Sequence, residues 1–413
     1  GGARDLSNCG MDFTPVDIAA ACNRHRVNDE VNHKPGWLGP GHGKLDLRLL
    51  PSGKQDFNGV DYTIIDERDG QRPSCIMLTS QKIKDKNFQK LPLFSKEIEV
   101  GKKADVICFL HSATHLKAPK GTPVATYEIR YKGYSKLIPG MDYTPFIQNV
   151  EVKGKEEIYD WFVKNIHKAV PYAWKGKTQA SNVSACLYTR KWTNPRPDKE
   201  IESIRMVSGN QAANVALFAI TLGTQSPNLL PGGDLDLYPE KDGYNSTTRS
   251  FGLTYDENCC WAGNFWNENS QGTLRLVNAP GLPGKRAIEL VNTDGAPTAQ
   301  VWIHSSVSFK PNERYVLLFD YMTPNKSRCC FRFSAGKDKQ WSKVESFSSN
   351  AALAKDCGHT FELTQTGGKW ETVFVRFKTN QTVENKLVIN FQNRMKGEDN
   401  PLYIRKVRLF KTQ

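Results

Sequence analysis

The chain has 413 residues, enough for two domains of roughly 200 each. Hydrophobic residues make up 38% and charged residues 24%, which supplies a packed core and excludes wholesale disorder. The net charge is +13, divided as +8 over residues 1–225 and +5 over 226–413. That excess favours polyanionic partners (nucleic acid, anionic lipid, or sulfated and uronic-acid polysaccharide), unless it is only a lysine-rich solvated surface.

No apolar run approaches the ~18 residues that a membrane span needs, so no membrane span is expected. No secretory leader is visible, and Gly1-Gly2-Ala3 reads as a processed end. None of the ten cysteines lies in a CxxC pair, which disfavours a zinc ribbon or a thioredoxin motif. Cys108, inside the apolar run 106–110, reads as a core thiol. The doublets Cys259-Cys260 and Cys329-Cys330, with Cys357, are disulfide candidates of open connectivity. Neighbours on a strand face opposite ways, so one cysteine of each doublet at most faces a given partner.

Along the first half, the stretch from Cys22 to Lys54 is rich in Asn, His, Gly and Pro. A loop that long holds function or wraps an edge. Strands are expected at 60–65, 75–78, 105–110, 124–131 and 216–220. Around 156–165, Ile158, Trp161 and Phe162 fall at i, i+3 and i+4, which predicts a short helical turn. Residues 223–227 form a polar linker. Further strands are expected at 272–277, 286–291, 299–309, 315–322, 330–334, 372–378, 386–391 and 401–410. Short strands separated by Gly, Asn and Pro at about ten-residue spacing predict an all-β chain of two tandem β-sandwich (jelly-roll) domains, 1–225 and 226–413.

Trp37, His111, His115, Trp161, Trp192 and Asn194 are the polar and aromatic candidates of the first domain. The histidines flank a strand end, where they are either packed core residues or hydrogen-bonding groups of a glycan pocket. Tyr255, Trp261, Phe265 and Trp266 cluster in a Gly/Asn-rich stretch of the second domain, and Trp341 follows. A pyranose has an apolar C–H face that stacks on Trp or Tyr, while its hydroxyls need polar partners. Each of these aromatics is therefore a ligand contact or a core staple. Trp302 and Trp370 read as core.

The run Asn228-Leu229-Leu230-Pro231-Gly232-Gly233-Asp234-Leu235 resembles the opening of carbohydrate-binding modules of the family 4/9/22 type. Residues 284–290, 299–301, 310–317, 370–373 and 402–409 follow in that family's order, so the resemblance covers 228–413. It implies a jelly roll with aromatic residues presented to sugar. It also implies a structural calcium near the first and last strands, for which Asp234 and Asp236 would supply oxygen ligands. Arg405 and Lys406 stand where the family has aspartate. Residues 12–222 resemble a galactose-binding-like sandwich domain attached to bacterial polysaccharide-degrading enzymes. That resemblance rests on 16–24, 36–37, 46–53, 57–66, 100–113 and 192–204.

No segment nominates the two carboxylates, about 5–10 Å apart, that glycoside hydrolysis requires. GxSxG, HExxH and Walker motifs are absent, and no nucleic-acid-binding motif accompanies the basic charge. The expected function is non-catalytic binding of polysaccharide, anionic by the charge, as the accessory part of a secreted or cell-surface bacterial protein linked to a catalytic domain. The alternatives are a hydrolase or lyase with an unrecognised site, and a structural or adhesion spacer.

Overall fold

The structure is a computed structural model. It describes residues 8–28, 36–68, 70–134, 145–163, 172–180, 184–238, 245–246, 251–265, 272–293, 299–325, 328–333, 341–354, 359–383 and 385–412. The fold is all-β, built of antiparallel sheets as the strand spacing predicts. Its regular helical elements among the described residues are single 3-10 turns such as Ala19–Ala21 and Pro231–Gly233. The chain divides into two compact units, Gly1–Gln225 and Ser226–Gln413.

In the first unit, one sheet runs in the order Met11–Val16, Asn214–Gln225, Val106–Thr114, Ser184–Thr193, Tyr172–Lys177. A second runs Ile98–Lys102, Ile201–Ser208, Pro123–Tyr134, Pro145–Lys153. Ile107, Phe109, Tyr127, Ile129, Ile204 and Ile220 fill the space between them. The outer face of the first sheet is covered as well. Trp37, Leu47, Leu50, Tyr62 and Ile64 pack there against Cys108, Leu110 and Phe218. Every residue of Val106–Thr114 is consequently buried, and its first half, 106–110, is apolar on both faces. The long stretch after Cys22 thus wraps a sheet face. Asp46 holds it in shape, accepting hydrogen bonds from the Asn28 amide at 2.8 Å and the Arg48 guanidinium at 2.6 Å. The hairpin Gly53–Phe57 to Val60–Ile64 turns at Asn58-Gly59, both at positive φ, the geometry that suits a two-residue hairpin loop. The outer face of the second sheet is polar and carries cross-strand ion pairs, Arg205–Glu128 at 2.7 Å among them.

The helical turn expected around 156–165 does not form in the described residues. Residues 155–157 make a turn, and Phe162–Val163 pairs as a strand with Ser184–Thr193. The i, i+3, i+4 pattern arose because Ile158 and Trp161 are buried in two different core layers of the sandwich.

The second unit is a sandwich of two sheets. One runs Asn245–Ser246, Gly272–Asn278, Arg286–Asn292, Leu402–Thr412, Arg314–Met322, Glu371–Thr379, Ser342–Phe347. The other runs Phe251–Asp256, Cys259–Phe265, Ala299–Ser306, Lys386–Asn393, Cys329–Phe333, Thr360–Leu363, Ala351–Leu353. Their inner faces share one core that includes Trp261, Val301, Ile303, Phe319, Phe331, Phe377 and Phe391. The period-2 alternation of Lys386–Asn393, with Leu387, Ile389 and Phe391 buried, directs every second residue outward.

Candidate functional site: an outward sheet face of the second unit

Strand Ala299–Ser306 places Ala299, Val301 and Ile303 in the core, so Gln300, Trp302 and His304 face out, all partly exposed. The register aligns these with outward residues of the neighbouring strands. One transverse row reads Gly252, Ala262, Trp302, Asn390, Arg332, Thr360. A second reads Thr254, Cys260, His304, Val388. A third contains Gln300, Gln392, Cys330 and Glu362. The small residues Gly252 and Ala262 leave one flank of the Trp302 indole low. On its other flank stands a ladder of amides. Gln392 Nε2 donates to Asn390 Oδ1 at 2.7 Å, and Asn390 Nδ2 donates to Gln300 Oε1 at 3.2 Å. The His304 ring lies 6.0 Å from the indole at 73°, and its pKa is lowered by partial burial and by the nearby Lys386. A flat aromatic beside ordered amide donors and acceptors can stack a sugar ring and hydrogen-bond its hydroxyls.

Reading Trp302 as core is therefore corrected. The alternation Gln300-Val301-Trp302-Ile303-His304, read as period 2, was the available signal, because Val301 and Ile303 cannot both be buried unless Trp302 points away from them.

Several expected contacts prove to be core side chains, which a sugar cannot reach without opening the fold. Trp261 is 1% exposed, and its Nε1 donates to the Gly232 carbonyl at 2.8 Å. Trp341 packs against Phe309 and Phe377 with ring centroids at 4.7 and 5.6 Å. Trp37 and Trp161 pack edge to face at 5.6 Å in the layer over the first unit's sheet. His111 is fully buried and shares a 2.7 Å hydrogen bond with Tyr127, and burial holds its pKa down at about 3. Asn194 is a buried connector. It accepts from Tyr131 Oη at 2.5 Å and donates to the Ala104 carbonyl at 2.7 Å. Trp192 is partly buried against the inter-sheet core. His115 sits at positive φ, 3.4 Å from Asp85 and edge-on to Phe88. His111 and Asn194 thus serve two different hydrogen-bonded pairs. Tyr255 is exposed, packed beside Tyr238 with ring centroids at 6.1 Å. Phe265 ends its strand in register with Ala299, and Trp266 lies outside the described residues.

The calcium expected on Asp234 and Asp236 does not fit the groups found there. Asp234 Oδ1 accepts from the Asp236 amide at 3.1 Å, closing the turn Leu235–Leu237. Asp236 Oδ1 accepts from the Arg286 amide at 2.8 Å, and its Oδ2 faces Lys285 and Arg405, each at 3.4 Å. Arg405 also reaches Asp320 at 3.4 Å, and Asp320 takes Arg408 at 3.2 Å. Asp234, Asp236 and Asp320 are matched by three side-chain cations, Lys285, Arg405 and Arg408, so a divalent ion would have to displace cations already seated on Asp236.

No protein-family model matches the chain, and no curated protein does. Solved structures do. The enzymatically active domain of tailspike protein 4 from bacteriophage CBA120 is 11% identical over 46% of this chain and 23% of that one, with a TM-score of 0.29. The chain therefore spans under a quarter of that tailspike domain. The N-terminal CBM22-1–CBM22-2 tandem of Paenibacillus barcinonensis Xyn10C is 10% identical over 76% of this chain and 81% of that one, at 0.25. TmCBM61 in complex with β-1,4-galactotriose is 13% identical over 45% and 100%, at 0.26. Carbohydrate-binding modules recur among these structures. At such identities and scores these likenesses carry no conclusion about this chain. Among the described residues, no helix is long and apolar enough to cross a membrane.

Proposed function

We propose that this chain binds polysaccharide without cleaving it, through the outward face centred on Trp302. The observation that carries this reading is the row in which a partly exposed indole lies between small residues and a hydrogen-bonded amide ladder. The arrangement of carboxylates supports the non-catalytic part. Glu362 and Asp256 lie on strands five positions apart in the sheet order, roughly 24 Å at about 4.8 Å per strand. Hydrolysis needs a pair about 5–10 Å apart. Asp256 is moreover engaged as a turn residue, accepting from the Asn258 and Cys259 amides at 2.8 Å each.

The +13 charge supports an acidic polysaccharide. A binder without chemistry of its own fits an accessory role in a secreted carbohydrate-active protein, where linkage raises the local concentration of substrate.

Affinity gel electrophoresis against neutral, uronic-acid and sulfated polysaccharides tests the proposal, with reducing ends and unsaturated products assayed in the same tubes. Retention without product is expected. Trp302→Ala should weaken retention about fivefold or more, the scale of one lost stacking contact of about 1 kcal/mol, while leaving the unfolding midpoint nearly unchanged. Product release, or full retention by Trp302→Ala, overturns it.

A further inference from the structure

On the sheet of the second unit without Trp302, Arg275, Arg314, Arg405, Arg408 and Lys411 each reach a carboxylate, while Lys343, Arg376, Lys378 and Lys406 make no ion pair among the described residues. On the Trp302 face stand Arg332, Lys386 and Arg394, all exposed, and among the described residues none of the three makes an ion pair. Arg394 donates instead to the neutral Gln392 Oε1 at 3.0 Å. Lys386 stands at one end of the face, in register with Ser306. Arg332 lies in the Trp302 row itself, two strands away through Asn390, roughly 10 Å at about 4.8 Å per strand. Glu362 is the nearest acid by register, diagonal to Arg332, and makes no ion pair with it.

From the place of this exposed guanidinium, without an ion pair and in the row of Trp302, we infer that Arg332 is a specificity-determining residue that recognises a carboxylate or sulfate group on a polysaccharide whose neighbouring sugar stacks on Trp302. Lys386 and Arg394 extend the same field to either side. The inference rests on the reading of this face as polysaccharide-binding. Its physical basis is that a guanidinium offers a planar fork of donors matched to a carboxylate or sulfate, and that an unpaired one is ready to accept such a partner. The remainder of the face, the amide ladder and the indole, has no preference for charge.

The test uses the full chain and matched polymers: polygalacturonate and glucuronoxylan, each against its own carboxyl-reduced form, and dextran sulfate against dextran. Wild-type protein should bind the charged member of at least one pair about fivefold or more tighter, the scale of one partly exposed charge-assisted hydrogen bond. The pair that discriminates tells carboxylate from sulfate. Arg332→Gln should diminish that discrimination while retaining the neutral polymer, and Trp302→Ala should lose both members. The preference of wild type should also shrink between low and high salt. Equal binding of charged and neutral members by wild type, or undiminished discrimination by Arg332→Gln, overturns the role of Arg332 and leaves the stacking face standing. Full binding by Trp302→Ala, or retention of none of the six polymers, overturns the face as well. A DNA oligonucleotide held as tightly as the acidic glycans, and equally by Trp302→Ala, would make the surface a general polyanion site and sink the proposal.

Discussion

At the residue scale, burial decides what each aromatic or histidine can do. Trp261 and Trp302 lie in register-adjacent strands, yet one is a core anchor and the other faces out. The clustering of Tyr255, Trp261, Phe265 and Trp266 in sequence suggested a shared role, but Trp261 was needed inside. Its Nε1 satisfies the carbonyl of Gly232, a residue whose own Cβ would collide with Cys259 at 2.4 Å. His111 carries a measurable consequence. Burial holds its folded pKa at about 3, below the ordinary value near 6.5 of an exposed histidine. Between those values the unfolded chain binds the extra proton and the folded chain does not. Stability from this group is therefore present above about pH 6.5 and lost as pH falls towards 3, at up to about 1.4 kcal/mol per pH unit. Urea titrations of the wild type and of His111→Gln across that window should show a shallower loss in the variant. Parallel slopes would contradict this.

At the element scale, the strands were legible wherever one face is buried and the other wet. Lys386–Asn393 and Leu402–Thr412 begin close to where alternation placed them. The expected strand at 105–110 extends to Thr114, because its sheet is covered on both faces and the polar His111, Ser112 and Thr114 are buried within it. The helical turn at 156–165 was a coincidence of spacing. The final strand shows what register alone can build. Between its pairings to Leu318 and Asp320 the ladder shifts, with Lys406 at φ +52°, and this irregularity brings Arg405 and Arg408 onto one carboxylate. Arg405, 7% exposed, thereby ties the last strand to Asp320 and to the turn at Asp236. Arg405→Ala should destabilise the second unit by roughly 1–3 kcal/mol, since it removes one cation from each of two partly buried carboxylates that keep only Lys285 and Arg408. Thermal unfolding of the wild type should be indifferent to EDTA and to added calcium. A calcium-dependent rise in its midpoint would show that the cation count around Asp236 has been misread.

At the scale of the whole molecule, each unit encloses its own core, one about Phe109, Tyr127 and Ile204, the other about Phe319, Phe331 and Phe391. Residues 226–413 expressed alone should therefore fold, unfold in one cooperative step, and keep the polysaccharide retention of the full chain. Residues 1–225 should fold without it. Loss of binding by a folded 226–413 fragment would place an essential part of the site in the first unit.

The all-β class, the tandem sandwich and most strands of the second unit follow from the sequence itself. Local alternation and turn residues are short-range signals that survive without knowledge of any partner strand. Which aromatic residues are available to a ligand was decided only by tertiary structure. Trp37, Trp161, Trp261 and Trp341 are as large and as polar-edged as Trp302, and only the assembled sheets determine which of them water can reach. The same holds for charge. Arg405 and Arg332 are alike in sequence, but long-range register surrounds one with carboxylates and leaves the other without an ion pair on an open face.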